Sequence, residues 1–264
     1  MVSIGALNAL PAGVRDQLYL RLIPGDLIDR FAVDPATLRG PGGDRLVRIT
    51  AAEDKTWARI ELRHREQDRD PVLLLDVGMS AFGAPELSLV QVIDPTAPRF
   101  GIDRDPDGHD TLLGTASRNI AEETRALTSG LAPGQVRQGL RMLARVLACM
   151  DEFCGLLGRD FYLVEPLFYH SALLYERHGC DYFIGRERMD EIHVGFQPGG
   201  PLHACLDDST PFRRRGFEAT VRGRSWAIHD GILDAAATSG WSGVKMYRIP
   251  GRPASVSTFP GGTY

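Results

Sequence analysis

Lysine is nearly missing from this chain: Lys55 and Lys245 stand among arginines, and 34 acidic residues face 30 basic ones, for a formal net charge of -4. Nucleic acid is bound through a basic excess, so this balance argues against it as a partner. Two short helices expected near the N-terminus therefore do not signal a DNA-reading unit. Long apolar runs are missing too. None approaches the roughly 18 residues that a membrane-spanning helix needs, which argues against a membrane partner. The opening Met1-Val-Ser-Ile-Gly-Ala-Leu-Asn8 has neither a basic leader nor a long apolar stretch, so no secretory signal is expected and a cytoplasmic location is. Cysteine is sparse. Cys149, Cys154, Cys180 and Cys205 include no CxxC pair, so no structural zinc site is expected. On one helix Cys149 and Cys154 would lie about 8–9 Å apart, too far for a disulfide, so reduced thiols are expected.

What is present is ordinary for a globular protein. The 264 residues are 43% hydrophobic and 24% charged, enough for one large domain or two small ones. Leu10-Pro11 opens a helix with Val14, Leu18 and Leu22 on one face, and Pro24-Gly25 ends it. Asp26 caps a second, carrying Leu27, Ile28 and Phe31 and stopping before Asp34-Pro35. After Gly40-Pro-Gly-Gly43 the pattern turns to strands, over Arg45–Thr50, Thr56–His64, Val72–Val77 and Glu86–Ile93. Arg59, Glu61 and Arg63 alternate with Ile60, Leu62 and His64, as in an antiparallel strand with one wet face, while Val72–Leu75 reads as central. The acidic run Asp103–Asp110 lacks the spacing and the closing glutamate of a calcium loop and reads as a solvated turn. Helices resume over Asn119–Leu127. No repeat, low-complexity segment or flexible linker interrupts the chain. The expected class is α+β, a mixed and mostly antiparallel sheet flanked by helices. Residues 1–117 hold the helical start and the strands, and residues 118–264 an α/β region with an arginine-rich end, all within one continuous unit if no boundary intervenes.

Gly134–Gly185 carries the first functional signal. Pro133-Gly134 precedes a helix expected to run to about Leu157, with Val136, Leu140, Leu143, Leu147, Met150 and Leu157 buried and Gly158 ending it. The amides of Gly134, Gln135, Val136 and Arg137 would be free at its start, where a pyrophosphate can bind, and Gly139 would let a ligand or another backbone approach. A strand Phe161–Val164, a helix Leu167–His178 and a strand Asp181–Gly185 follow.

At this point the C-terminal half resembles the GCN5-related N-acetyltransferase superfamily. Tyr175-Glu176-Arg177-His178-Gly179-Cys180-Asp181-Tyr182 stands for the family's tyrosine-bearing helix ending. The resemblance implies an acetyl-CoA or other acyl-CoA substrate and a small-molecule amine as acceptor. It makes Tyr175 the acid that protonates the leaving thiolate, and it gives the pyrophosphate to the amides of Gly134, Gln135, Val136, Arg137 and Gly139. The chain departs from the family at several points. Its Arg/Gln-x-x-Gly-x-Gly/Ala turn is not reproduced by Gly134–Leu140, Phe168 replaces the asparagine ahead of the tyrosine helix, and Cys180 replaces a phenylalanine. The strand expected before the glycine turn is replaced by the helix Asn119–Leu127.

Histidines and arginines leave other readings open. His170 or His229 would serve as a base. His170, His229 and Asp230, with His193 or His203, would alternatively supply a metal for hydrolysis or oxygen chemistry, although no HExxH or facial-triad spacing is present. Five arginines between Arg213 and Arg224, interleaved with Phe212, Phe217 and Trp226, suit a phosphate- or carboxylate-bearing molecule. Arg213, Arg222, Arg224, Trp226 and Asp230 would then contact substrate, or line a non-catalytic module for an anionic small molecule. The sequence leaves a homo-oligomer open.

Overall fold

The computed structural model describes residues 2–238 and 240–264. Helix α1 (Ile4–Asn8) is capped by Ser3, whose hydroxyl accepts the Ala6 N–H at 3.1 Å. Helices α2 (Ala12–Leu20) and α3 (Gly25–Arg30) each start behind a proline, Pro11 and Pro24. Strands β1 (Val47–Thr50), β2 (Trp57–Leu62), β3 (Leu73–Met79) and β4 (Pro85–Val92) then follow. Helix α4 (Ile120–Thr128) is capped by Asn119 on the Glu122 N–H. After it come α5 (Leu143–Leu156), β5 (Tyr162–Val164), α6 (Tyr169–Arg177), β6 (Asp181–Ile184), α7 (Arg186–Gly195) and α8 (Pro201–Ala204). Helix α9 (Val221–His229), capped by Thr220, α10 (Ile232–Ala235) and β7 (Lys245–Arg248) close the chain. The class is α+β: one seven-stranded sheet in the order β1-β2-β3-β4-β5-β7-β6, flanked by helices.

By contacts the chain divides into two compact units. The first comprises Met1–Thr96, Gly139–Glu165 and Tyr247–Pro253, and the second Ala97–Gln138, Pro166–Met246 and Ala254–Tyr264. The chain therefore leaves the first unit after β4 and re-enters it at Gly139, where an antiparallel bridge pairs Gly139 with Ile93. No composition shift marks either crossing, which is why the sequence reads as continuous.

In the first unit β1 to β4 form an antiparallel meander. Ala58, Ile60 and Leu62 are fully buried, and the wet face of β2 carries Arg59, which grips Asp76 of β3 through two 2.7 Å hydrogen bonds. Each buried Ile or Leu contributes about 1.5–3 kcal/mol relative to exposure, so alternation alone fixes which face turns inward. Asn8 pins α1 to this sheet edge: its amide donates to the carbonyls of Ala52, Lys55 and Trp57. Asp151 of α5 accepts from Arg248 at 2.8 and 2.9 Å and from the Tyr162 hydroxyl at 2.8 Å, tying helix, strand and returning segment together.

In the second unit α9 is buried on nearly every side, with Trp226 fully enclosed and stacked on Phe212 at 5.0 Å. Phe100, Ile102, Ala126, Leu131 and Val136 complete that core. Gly223 permits it: a Cβ there would meet the Phe217 carbonyl oxygen at 2.6 Å. The four cysteines are free thiols. Burial, then neighbouring carboxylates, pushes Cys149 and Cys154 up to about 11, so neither is a ready nucleophile.

Candidate functional site

Within the first unit, β4 and β5 run parallel and pair only over Glu86↔Leu163 and Leu87↔Val164. Glu165 adds one bond, its N–H donating to the Leu87 carbonyl at 3.2 Å, and there β5 ends. Strand β4 continues for five more residues, Ser88 to Val92, all half-buried, with no partner on that side in the register. The parting has a local cause. Val77 pairs with Leu87 but Asp76 with Leu89, so Ser88 is an extra residue bulging from the ladder, its hydroxyl donating to the Asp76 carbonyl at 3.3 Å. A bulge bends its strand and increases the twist, which turns β4 away from β5.

Helix α5 opens at the far end of the same gap. Gly139 is paired with Ile93 and lies so close to β4 that a Cβ would stand 3.1 Å from the Val92 carbonyl oxygen. Four residues later α5 begins, with Met142 as an N-cap that supplies no side-chain hydrogen bond. The amides of Leu143 and Ala144 donate to no acceptor among the described residues. Arg141, exposed and in the left-handed region at φ 58, and the exposed Arg145 flank them. Arg145 already pairs with Asp26 at 3.2 Å; a cation such as Arg141 at a helix N-terminus opposes its dipole, an arrangement that becomes favourable when an anion sits between.

This corrects the expected start of the helix. The helix does not start behind Gly134, so Gly134, Gln135, Val136 and Arg137 are not its first turn. Gly134, at φ 78, has the Phe168 ring in the space a side chain would take. Gln135 caps its own turn by accepting the Ala132 N–H, and the Val136 carbonyl accepts from the Phe100 N–H at 2.9 Å. The Arg137 guanidinium donates to the Ala97 carbonyl. Only Gly139 stays beside the helix mouth.

The second unit gathers the histidines. His229 ends α9, and its Nε2 lies 3.2 Å from Oε1 of the buried Glu123 on α4, 106 residues away in sequence. Arg118 binds Glu123 and also Asp230, at 2.7 Å, and its guanidinium covers the Phe212 ring at 4.9 Å. Asp230 accepts in addition from Arg213 at 2.9 Å and Thr210 at 2.8 Å. Burial alone would raise the Glu123 carboxyl, but the hydrogen bonds from His229 and Arg118 outweigh it and hold the group below its usual range. Gly114, at φ 86, abuts the His229 ring, where any side chain would collide.

His170 is buried one turn into α6. Its Nδ1 lies 2.9 Å from the Ser225 hydroxyl, which also accepts the His170 backbone N–H at 3.4 Å. Ser225 thus holds the ring of His170 through Nδ1. The Phe168 ring stacks on His170 at 5.5 Å and meets His229 edge-on at 5.9 Å. Burial, then the nearby His229 and Arg222, pushes His170 down to about 3. An effective base titrates near the working pH, so His170 is suited to donating a hydrogen bond rather than accepting a proton.

The structure brings His170, His229 and Asp230 into one unit. His229 is committed to Glu123 and Asp230 to two arginines. Arg213, Trp226 and Asp230 likewise have partners within the protein: Arg213 donates to Asp230 at 2.9 Å, and the Trp226 indole donates to the Leu131 carbonyl at 2.8 Å. His193 sits against Arg224 at 3.3 Å. Arg222 and Arg224 differ, for neither makes an ion pair among the described residues. Among these residues the one grouping of metal-type ligands is Asp105, Asp107 and His109 in the acidic loop, where Asp105 already accepts the N–H groups of Asp107 and His109.

Sequence reasoning missed Glu123, Arg118, Ser225 and Gly114. Glu123 and Arg118 bind each other across five residues, but the His229 and Asp230 they hold lie over a hundred residues away, beyond any local signal. Tyr175 lies on α6, within the helix expected to carry it, and is buried there. No known family matches the chain, and neither does any curated protein or solved structure.

Proposed function

We propose that this chain is an acyltransferase that moves an acyl group from a CoA thioester to a small-molecule amine. The observation that carries the reading is the parting of β4 from β5 behind the Ser88 bulge, with uncapped amides of α5 at its far end. Free strand edge on β4 supplies donors and acceptors for the two amides of a pantetheine arm, which would lie there as an added strand. The free N–H groups of Leu143 and Ala144, with Arg141, suit the pyrophosphate.

Support comes from the chain order as well. A strand, a long helix and a second strand parallel to the first, followed by a tyrosine-bearing helix, is the order implied by the resemblance to GCN5-related N-acetyltransferases. The helix that interrupts that order in sequence, α4, belongs to the excursion Ala97–Gln138 and not to the first unit. Just ahead of α5, Arg141 takes the left-handed backbone that a glycine would. In transfer the amine nitrogen attacks the thioester carbonyl, a C–N bond forms, the C–S bond breaks, the nitrogen releases one proton to solvent, and the leaving thiolate takes one. The resemblance assigns that proton to the Tyr175 hydroxyl.

The test is thermal unfolding with acetyl-CoA, desulfo-CoA and inorganic pyrophosphate. Acetyl-CoA at about 100 times Kd stabilises a binding protein by about 2.7 kcal/mol, a rise of several degrees. An unchanged midpoint at millimolar acetyl-CoA refutes the reading.

A further inference from the structure

We propose that Asp26 sets the affinity of the α5 mouth: in the free chain it holds Arg145 away from the anion site, and the pyrophosphate of a bound CoA takes Arg145 from it. The inference rests on the acyltransferase reading and deepens it, for it names the residue that competes with CoA. Arg145 is the third residue of α5, in the same first turn as the open amides of Leu143 and Ala144. Its Nε lies 3.2 Å from Oδ2 of Asp26 on α3, and both residues belong to the first unit.

Asp26 also reaches the second turn of α5. After burial and Glu152, its charge helps push the Cys149 thiol up to about 11, and Cys149 lies one turn beyond Arg145 on the same face. A long side chain on a helix leans back toward the N-terminus, over the turn that precedes it. For Arg145 that lean carries the guanidinium over the first turn, toward the open amides and the exposed Arg141. The Asp26 contact draws it toward the second turn instead.

The pair is of a kind that exchanges readily. The Arg145 and Asp26 side chains are 66% and 43% exposed, and Nε meets a single oxygen at 3.2 Å. By contrast, Arg59 holds Asp76 and Arg248 holds Asp151 through paired bonds of 2.7–2.9 Å. Water screens an exposed ion pair, so passing Arg145 from one carboxylate to a multiply charged phosphate group costs little and gains charge. Binding still has to break the pair. Asp26 therefore lowers the affinity for CoA by the strength of its hold on Arg145.

The experiment is isothermal titration of CoA into the full chain at low ionic strength. Asp26→Asn should bind CoA about two- to fivefold more tightly than wild type, the range expected for releasing one exposed ion pair. In an Arg145→Gln background the same substitution should change affinity by less than about 1.5-fold, because no guanidinium is left to release. Asp29→Asn, which removes an equal charge from the exposed side of α3, should also stay within about 1.5-fold of wild type. Equal or weaker binding by Asp26→Asn overturns the inference. So does a gain that persists without Arg145 or that Asp29→Asn reproduces, since either marks a general effect of charge. A wild type that binds no CoA removes the acyltransferase reading and this inference with it, whereas a wild type that binds CoA but gains nothing from Asp26→Asn removes this inference alone.

Discussion

His170 makes the fold sensitive to mild acid in a window that can be calculated. In the folded chain it titrates near 3, against an ordinary value of 6.5, because burial and the neighbouring His229 and Arg222 disfavour the imidazolium. The folded value is depressed, so between those limits the unfolded chain binds the extra proton and stability rises with pH. At pH 5 the unfolded imidazole has gained its proton about 1.5 pH units below its midpoint, while the folded one remains neutral. At 1.36 kcal/mol per unit, the cost relative to pH 7 is about 2 kcal/mol. The assay is urea unfolding at pH 7 and pH 5 on wild type and His170→Asn, which keeps a polar atom near Nδ1 for Ser225. The variant is less stable at both values, but its loss from pH 7 to pH 5 should be smaller than that of wild type by about 2 kcal/mol. Working at pH 5 stays above the range of Glu123, whose depressed carboxyl contributes stability that is lost only at lower pH. Equal losses in the two proteins would refute the account of His170 as a buried neutral group.

The Arg118 clasp and the Tyr175 phenol supply two further expectations. Arg118→Met leaves Glu123 with His229 alone and Asp230 with Arg213 and Thr210; because Arg118 is partly exposed, the loss should be about 2–3 kcal/mol in urea unfolding, and a change under about 0.5 would show that the clasp is ornamental. Tyr175→Phe should lower kcat for amine acylation about a hundredfold with KM for acetyl-CoA little altered, and unchanged turnover would remove Tyr175 from the chemistry.

The strands were legible because their period is local. Ala58, Ile60 and Leu62 alternate with Arg59 and Glu61, and burial alone dictates that pattern, so β2 and its neighbours fall where expected to within two or three residues. The start of α5 was not. Val136 and Leu140 extend its apolar stripe at helical spacing, yet Val136 is buried through a loop pairing with Phe100, and Arg141 breaks the helix by turning left-handed, a conformation its residue type does not announce. Helix α9 was hidden for the opposite reason. Val-Arg-Gly-Arg-Ser-Trp-Ala-Ile-His has two arginines and a glycine where a stripe should be, because the whole helix is enclosed and its glycine answers to Phe217. His229 and Asp230 stood out in the sequence as a pair, but their partners come from α4 and from the segments around Arg118 and Arg213. The gap beside β4 depends on one extra residue, Ser88, in a run that reads as unbroken strand.

The central claim is that a CoA thioester lies between β4 and the mouth of α5. Isothermal titration of CoA into wild type and Arg141→Glu tests it most directly, since Arg141 is exposed and its replacement leaves the packing intact. The account predicts one equivalent of CoA bound by wild type and an affinity at least about tenfold weaker in the variant, close to 1.4 kcal/mol. Absence of binding to wild type, or identical affinity in the two proteins, would contradict it.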